Sequence, residues 1–253
     1  MTPELHATDF AFPVMGMDSG ADGVSRTRDV CGTAFALGGG YYLTAGHVWK
    51  AAATSPLQGI GLGVTKQNEF ETVIIRKIIG AIVFETVDVA VLQVGFSFGR
   101  TFVWSAKGPA LLDQVRAFGY PFGFDSDAET LAVRAFQGEI VGGRNLGRLP
   151  GRPAVVEVSF PCPRGLSGAP LIRYDEDTTE IVGMVLGNEI TEMTVFSETE
   201  TLSETGQARQ LIKTEALHLG IAIRVSEILP LSCSLLGGTI ESSTCSPTLL
   251  HSG

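Results

Sequence analysis

Short apolar segments alternate along this chain with polar turns that contain glycine, proline, asparagine or aspartate. Six of these segments are rich in β-branched and other apolar residues, which is the composition typical of β-strands. They span residues 58–65, 72–79, 87–94, 131–141, 155–160 and 181–186. Helical patterns are restricted to a turn at 48–53 and a short segment at 225–231. The pattern therefore predicts an all-β fold with a short C-terminal helix.

The composition is typical of a packed protein of one or two domains. The 253 residues are 44% hydrophobic and 18% charged, and 31 glycines are spread along the chain, as many tight turns require. The net charge of −9 has the wrong sign for binding a phosphate backbone, so no nucleic-acid partner is expected. No apolar run reaches the roughly 18 residues that span a bilayer, so no membrane partner is expected.

Three motifs carry the residue types of nucleophilic catalysis, in the order His, Asp, Ser. They are TAGH at 44–47, VDVAVL at 87–92 and GLSGAP at 165–170. A serine hydroxyl needs a base to take its proton, and an imidazole oriented by a buried carboxylate is such a base. We therefore expect Ser167 as nucleophile, His47 as base and Asp88, within an apolar strand, as the orienting acid. Asp113 and Asp125, both in turn-like or loop contexts, are the alternative acids.

The turn around this serine also offers an oxyanion hole. Backbone N–H groups aimed at a reacting carbonyl oxygen stabilise the negative charge that develops there during acyl transfer. Gly165 and Ser167 are the candidate donors, and glycine at position 165 permits a sharply turned backbone.

These motifs, in this order, resemble the trypsin/chymotrypsin-like serine proteases, and most closely the bacterial trypsin-like and HtrA-like protease domains. The chain order excludes the α/β-hydrolases and the subtilisins, which arrange the same residue types differently. Further matches to the family are CGTAF at 31–35, FGYP at 118–121, GMVLG at 183–187 and GIAI at 220–223. The resemblance implies a serine endopeptidase that acts on a protein or peptide substrate through an acyl-enzyme, without a cofactor.

The resemblance also implies a chymotrypsin-like fold of two packed antiparallel six-stranded β-barrels. The first barrel is expected at 25–105 and the second at 106–230, with the catalytic residues in the cleft between them. Residues 1–24 are then an N-terminal extension. Residues 231–253 are expected to form a loosely ordered tail rich in Ser, Thr and Leu.

By the same resemblance, seven residues line the substrate pocket: Cys162, Pro163, Val185, Leu186, Gly187, Asn188 and Gly220. The segment 161–164 has no carboxylate to bind Lys or Arg, and 184–185 has no His to bind Glu. We therefore expect cleavage after a small or medium uncharged residue. The acidic stretch 189–213 is expected to be either a solvated loop or a rim of the cleft that gates or selects substrate.

Leu166 departs from the family pattern. Secreted relatives have an aspartate at this position, which pairs with a freshly cut N-terminus and so forms the oxyanion hole. A leucine cannot accept that ion pair, and residues 10–30 contain no terminus similar to Ile-Val-Gly-Gly. The hole is therefore expected to be preformed, or to be ordered by an activating partner protein, a ligand or oligomerisation.

The four cysteines are expected to be free thiols. Secreted relatives bridge the Cys31 position to a cysteine directly after the catalytic His, where this chain has Val48. No cysteine spacing indicates a metal site. Unpaired thiols, and a start without a signal-peptide pattern, predict a cytoplasmic protein.

Two other functions stay open on the same fold. One is a binding or sensor module with weak or no hydrolysis. The other is an esterase or acyltransferase that uses the same nucleophile.

Overall fold

The computed structural model describes residues 10–19, 25–67, 70–95, 101–121, 124–125, 130–174, 179–201 and 208–244. Within these ranges the chain is almost entirely β-strand, and its three α-helices are each seven residues or shorter. The all-β fold class and the short C-terminal helix that the sequence predicts are thereby confirmed.

Six strands of the N-terminal half close into an antiparallel barrel. They are β1 (Ala11–Ser19), β2 (Ser25–Gly38), β3 (Tyr41–Ala45), β4 (Leu57–Gln67), β5 (Phe70–Phe84) and β6 (Val89–Val94). Their order around the barrel is β1-β2-β3-β6-β5-β4, with β4 pairing back to β1. Helix α1 (Gly46–Ala52) follows β3 directly. Successive side chains of a strand point alternately into the barrel and out of it. The inward positions carry mainly branched and aromatic side chains, which fill the interior.

The C-terminal half forms a second ring of antiparallel strands. The strands of this half are β7 (Val103–Trp104), β8 (Gln114–Gly119), β9 (Phe124–Asp125), β10 (Thr130–Leu131), β11 (Arg134–Asn145), β12 (Ala154–Val158), β13 (Pro170–Tyr174), β14 (Thr179–Thr201) and β15 (Ala208–Arg224), of which six form the ring. The order β13-β8-β11-β12-β15-β14 is closed by pairing of β14 with β13. Strand β7 adds to β14 in parallel, and β9 pairs only with β10. This is the double-barrel arrangement that the sequence predicts.

The two barrels share an apolar core. Val155, Ile221 and Ile223 of the second barrel are fully buried in the same cluster as the interior of the first. A polar contact supports this packing, because the Tyr120 hydroxyl donates a hydrogen bond to the carbonyl of Ala11 at 3.2 Å. Loops that end at this junction are therefore held close together, and the candidate catalytic residues lie on such loops.

The first barrel begins earlier than expected. Strand β1 lies inside the segment 1–24 that the sequence assigned to an N-terminal extension, and it pairs with both β2 and β4. Its apolar residues at 11–15 are buried, so the barrel cannot close without it. The expected boundary at residue 25 is therefore wrong.

The expected loose tail is also partly wrong. Helix α2 (Val225–Ile228) is followed by the strands β16 (Ser232–Cys233) and β17 (Gly238–Thr239) and by α3 (Ile240–Thr244). Cys233 and Ile240 are buried against the first-barrel core, so apolar burial fixes this segment up to residue 244. The remaining residues, 245–253, lie outside the described ranges.

The acidic stretch 189–213 does not form an irregular loop. Strands β14 and β15 continue through most of it as one antiparallel hairpin, paired from Gly183 opposite Arg224 to Thr201 opposite Ala208. The stretch contains five Thr and two Ile, with one Val and one Phe, and β-branched and aromatic residues favour strands. Among the described residues, its base is tied to β11 by an ion pair between Glu189 and Arg144.

Candidate active site

His47 and Asp88 lie at the same end of two paired strands. Strands β3 and β6 are antiparallel neighbours, and Ala45, the last residue of β3, pairs with Val89, the first of β6. His47 comes two residues after Ala45, and Asp88 comes one residue before Val89. A backbone hydrogen bond from Gly46 to the carbonyl of Asp88, at 2.8 Å, extends this pairing.

The Asp88 carboxylate contacts His47 at two points. Its Oδ2 lies 2.7 Å from the ring Nδ1, and its Oδ1 accepts the backbone N–H of His47 at 2.8 Å. The Asp88 side chain is 19% exposed, and the His47 side chain is 48% exposed. With Nδ1–H donated to the carboxylate, Nε2 carries the lone pair and is free to accept a proton.

Asp88 belongs to a turn and not, as expected from its apolar neighbours, to a strand. Its φ is +57°, a left-handed conformation that Asp and Asn adopt more readily than other side chains. This conformation turns the backbone just before β6 and is incompatible with an extended strand. Gly46 is required beside it, because a Cβ there would lie 2.9 Å from Asp88 Oδ1.

Of the two alternative acids, Asp113 is paired elsewhere, and the side chain of Asp125 lies outside the part of the structure that is described. Asp113 forms an ion pair with Arg173 of the second barrel at 3.0 Å. Asp125 lies on β9, in the hairpin that follows the second barrel's first strand, β8. Among the described side chains, Asp88 is the carboxylate that contacts His47.

The turn that carries Ser167 packs directly against the strands that lead to His47. A Cβ on Gly32 would lie 2.5 Å from Val48, the residue after His47, and 2.9 Å from the carbonyl oxygen of Ser167. The side chain of Ser167 is buried, and its hydroxyl donates a hydrogen bond to the carbonyl of Leu186 at 3.0 Å. Within the described ranges, no hydrogen bond joins this hydroxyl to His47.

The backbone around Ser167 leaves two N–H groups free. The N–H of Leu166 donates to Pro163 at 3.0 Å, and that of Gly168 donates to Val185 at 2.8 Å. The N–H groups of Gly165 and Ser167 donate to no described residue. Gly165 has φ +99°, which favours glycine, and a Cβ there would lie 2.4 Å from the carbonyl of Tyr120. Among the described residues, the two expected oxyanion-hole donors thus have no acceptor, and they belong to Ser167 and to the residue two positions before it.

Leu166 is an apolar anchor for this turn. Its side chain is fully buried in the core of the second barrel. Its Cδ1 packs against Gly119: a Cβ added to Gly119 would lie only 2.8 Å from that atom. The position that holds an aspartate in secreted relatives is therefore filled here by core packing.

Most of the expected pocket residues lie in two segments, 162–163 and 185–188, which are the expected walls of the pocket. The amide oxygen of Asn188 accepts a hydrogen bond from the backbone N–H of Cys162 and so joins the two segments. Gly220 lies behind Cys162, and a Cβ there would approach the Cys162 Sγ to 2.4 Å. Gly187 borders the serine, because a Cβ there would lie 3.9 Å from Ser167 Oγ.

The remaining three pocket candidates contribute in different ways. Leu186 supplies the carbonyl that accepts the Ser167 hydroxyl. Val185 is fully buried, and its backbone pairs with Gly168 and Ala169, so it supports the turn. Pro163 accepts the N–H of Leu166 and shapes the entry to the turn.

Three of the four cysteines lie in the described ranges, and all three are free thiols: Cys31, Cys162 and Cys233. Cys245 lies outside those ranges. Burial raises the pKa of Cys162 to about 12, so its thiol is protonated at neutral pH. The described residues contain no cluster of three or more His, Cys, Asp or Glu that could hold a metal ion. None of the helices in that part of the chain has the length and apolar character that a membrane crossing requires.

Sequence reasoning missed Thr33. This residue lies on β2 in the CGTAF motif, is fully buried, and bonds to the carbonyl of Gly165. The available signal was a polar side chain within an otherwise apolar strand, since a buried hydroxyl needs partners.

Comparison with known proteins adds the family and the fold. A family model described as a trypsin-like peptidase domain matches residues 32–184. Among solved structures, the chain is similar to the active form of the Rv3671c protease from M. tuberculosis, with 16% identity, coverage of 88% of this chain and 78% of that chain, and a TM-score of 0.55.

Two further solved structures are similar. The MamO protease domain from Magnetospirillum magneticum has 14% identity, coverage of 88% of this chain and 95% of that chain, and a TM-score of 0.51. The HtrA-type protease AlgW, solved with a decapeptide, has 19% identity, coverage of 87% and 61%, and a TM-score of 0.53. At these identities the likeness shows the fold. A comparison with curated protein sequences finds no significant match.

Proposed function

The chain belongs to the trypsin-like peptidase family, and we propose that it is a serine endopeptidase whose catalytic residues are Ser167, His47 and Asp88. The observation that carries this proposal is the double contact between Asp88 and His47, through the ring Nδ1 and the backbone N–H. A carboxylate bound in this way fixes the imidazole tautomer and stabilises the imidazolium that forms during proton transfer.

The reaction proceeds in two halves. Ser167 Oγ attacks the peptide carbonyl carbon while its proton passes to His47 Nε2, and the resulting tetrahedral intermediate collapses when His47 gives that proton to the leaving amine. This breaks the C–N bond and leaves an acyl-enzyme on Ser167. A water molecule then attacks the ester with the same proton transfers, which releases the new carboxylate and restores the serine.

The attack requires the Ser167 hydroxyl to leave the carbonyl of Leu186. A rotation about the Cα–Cβ bond of the serine turns the hydroxyl towards the imidazole. Catalytic hydrogen bonds are often made only once substrate is bound, so this resting contact is compatible with catalysis. The negative charge on the carbonyl oxygen is then stabilised by the N–H groups of Gly165 and Ser167.

The pocket favours a small or medium uncharged residue before the scissile bond. Asn188 and Cys162 are hydrogen bonded across the pocket, which limits its depth. The wall from 161 to 164 carries no acidic side chain, so a substrate Lys or Arg would lose its hydration there without gaining an ion pair.

Several sequence predictions accompany this function. The partner is a protein or peptide substrate, and no cofactor takes part in the chemistry. An activating partner protein, a cytoplasmic location and the absence of nucleic-acid and membrane partners stay predictions.

A fluorophosphonate probe tests the proposal, because it reacts with an activated serine and mimics the tetrahedral intermediate. We expect the wild-type protein to be labelled at Ser167 and to cleave a peptide library, and Ser167→Ala to do neither. A wild-type protein that is folded but unlabelled would overturn the proposal.

The contact between Ser167 and Leu186 favours one alternative, a protease-fold binding module in which the serine stays unreactive. That alternative predicts peptide binding without labelling. Labelling with ester hydrolysis but no peptide cleavage would instead indicate an esterase on this fold.

A further inference from the structure

Thr33 forms hydrogen bonds on both sides of the nucleophile turn. It is fully buried on β2 of the first barrel, whereas the turn belongs to the second barrel. Its hydroxyl donates to the carbonyl of Gly165 at 2.7 Å, and its backbone N–H donates to the carbonyl of Ser167 at 2.9 Å. One residue thus donates to the carbonyl two residues before the serine and to the carbonyl of the serine itself.

Thr33 is itself held firmly. Its hydroxyl oxygen accepts the backbone N–H of Tyr120 at 3.1 Å, and its carbonyl accepts the hydroxyl of Thr44 at 2.6 Å. Thr44 belongs to the same TAGH motif as His47. The hydrogen bonds therefore connect the segment that carries the base to the turn that carries the nucleophile.

These bonds fix alternate peptide groups of the turn. The peptide between Gly165 and Leu166 is held by Thr33 at its C=O and by Pro163 at its N–H. The peptide between Ser167 and Gly168 is held by Thr33 at its C=O and by Val185 at its N–H. The peptide group between these two carries the N–H of Ser167, and its C=O accepts the N–H of Ala169 at 3.0 Å. The N–H of Gly165 belongs to the peptide group before them. Among the described residues, the N–H groups of Gly165 and Ser167 have no acceptor and are available to an oxyanion.

Apolar packing alone does not explain this orientation. Leu166 anchors the turn in the core, but hydrophobic burial is non-directional and sets no peptide plane. Gly165 has no side chain to restrict its rotation and adopts φ +99°. Directional contacts keep the following peptide group in one orientation: Pro163 accepts its N–H within the turn, and Thr33 of the other barrel donates to its C=O.

We propose that Thr33 is a positioning residue that keeps the oxyanion hole formed, in the role that an N-terminal ion pair has in secreted relatives. The inference rests on the proposed serine endopeptidase function and deepens it. It identifies what prepares the serine for attack in a chain that has leucine next to its nucleophile. The hole is then built into the fold and needs no proteolytic trimming.

Three variants test the proposal with a chromogenic peptide substrate. Thr33→Val keeps the shape but removes the hydroxyl, Thr33→Ser keeps the hydroxyl, and Ser105→Ala is the control. Ser105 is also a buried hydroxyl with several hydrogen bonds, but it lies in the Arg173 ion-pair network, away from the turn.

We expect kcat to fall by at least about tenfold in Thr33→Val, and by less than the roughly 10²–10³-fold that complete loss of one donor costs. KM should stay within about twofold, because the hole acts on the transition state more than on bound substrate. Thr33→Ser should recover most of kcat. Ser105→Ala should lower Tm and leave kcat unchanged.

Each other outcome has a definite meaning. If Thr33→Val keeps full kcat, or if Thr33→Ser is as slow as Thr33→Val, the positioning role is overturned while the peptidase function stands. If Thr33→Val fails to fold, the Thr33→Ser protein decides through its kcat and its affinity for a peptidyl boronate, a mimic of the tetrahedral intermediate: wild-type values of both support the role, and a loss of both overturns it. A wild-type protein that no fluorophosphonate labels overturns the function, and the inference with it.

Discussion

Asp88 accepts two hydrogen bonds from His47, one from the ring Nδ1 at 2.7 Å and one from the backbone N–H at 2.8 Å. Asp88→Asn removes the carboxylate charge and keeps the backbone conformation, because Asn also tolerates the left-handed backbone at this position. Its NH₂ group cannot accept Nδ1–H, so the imidazole takes the wrong tautomer. We expect kcat to fall by about 10⁴-fold with a small change in Tm.

Asp113→Asn is the matched control for this change. Asp113 is paired with Arg173 in the second barrel, so the variant should lose stability and keep its kcat. If Asp88→Asn retained more than about a tenth of wild-type kcat, well above the loss expected for a wrong tautomer, Asp88 would not be the orienting acid.

Gly165 provides a second prediction, on the oxyanion hole. Gly165→Ala places a Cβ 2.4 Å from the carbonyl of Tyr120 and disfavours φ +99°, so the turn must rotate. We expect a loss of about 10²–10³-fold in kcat, as for removal of one donor. Gly147→Ala is the control, because nothing lies within 4 Å of a Cβ there. Equal effects of the two variants on kcat would contradict the assignment of the hole.

Asn188 provides a third prediction, on specificity. Asn188→Ala removes the amide that joins the two pocket walls through Cys162. We expect the preferred residue before the scissile bond to shift from small towards Leu or Phe in a peptide-library profile. Asn145→Ala, at an exposed strand end, should leave the profile unchanged. An unaltered profile in Asn188→Ala would show that the bridge does not limit the pocket.

Cys162 provides a fourth prediction, on pH. The thiolate is the form that reacts with iodoacetamide, and burial raises the pKa of this thiol to about 12. In the folded protein we expect no alkylation of Cys162 between about pH 7 and 10, since its pKa lies above that window. Unfolding in guanidinium should make it reactive. Alkylation of Cys162 in the folded state, detected by peptide mass spectrometry, would contradict this burial.

The sequence predicted the family and the fold, because the spacing and order of the motifs around His47 and Ser167 are typical of trypsin-like peptidases. It predicted the local geometry less well. Asp88 was expected in a strand because its neighbours are apolar, but its left-handed backbone depends on the turn before β6. Thr33 is a polar residue within an apolar strand, which indicates a buried partner, but its partners Gly165 and Ser167 lie more than a hundred positions away and no local pattern identifies them.

Strand lengths and boundaries were harder to predict for a related reason. Strand β1 contains Pro13 and Gly16, which are unfavourable in strand interiors, and its place in the barrel is decided by pairing with β2 and β4. The hairpin of β14 and β15 has an acidic composition that suggests a loop. Cross-strand pairing over its whole length overrides that composition.

The hairpin carries the last prediction. Beyond the pocket it exposes large apolar side chains on both strands: Ile190 at 56%, Phe196 at 49% and Ile212 at 57%. It also continues directly from the strand that contains Leu186 and Asn188, so a long substrate leaving the cleft along β14 would meet it. We therefore expect it to select among extended polypeptides and to have little effect on the chemical step.

Ile190 and His218 are cross-strand partners, so residues 191–217 can be replaced by Asn-Gly, a two-residue turn suited to joining paired strands. The shortened protein should hydrolyse a short chromogenic peptide at the wild-type rate. Cleavage of a long unfolded polypeptide should slow, because its contacts beyond the pocket are lost. Wild-type rates on both substrates would indicate a solvated hairpin without a role in selection, whereas loss of both would indicate that the hairpin supports the fold of the pocket.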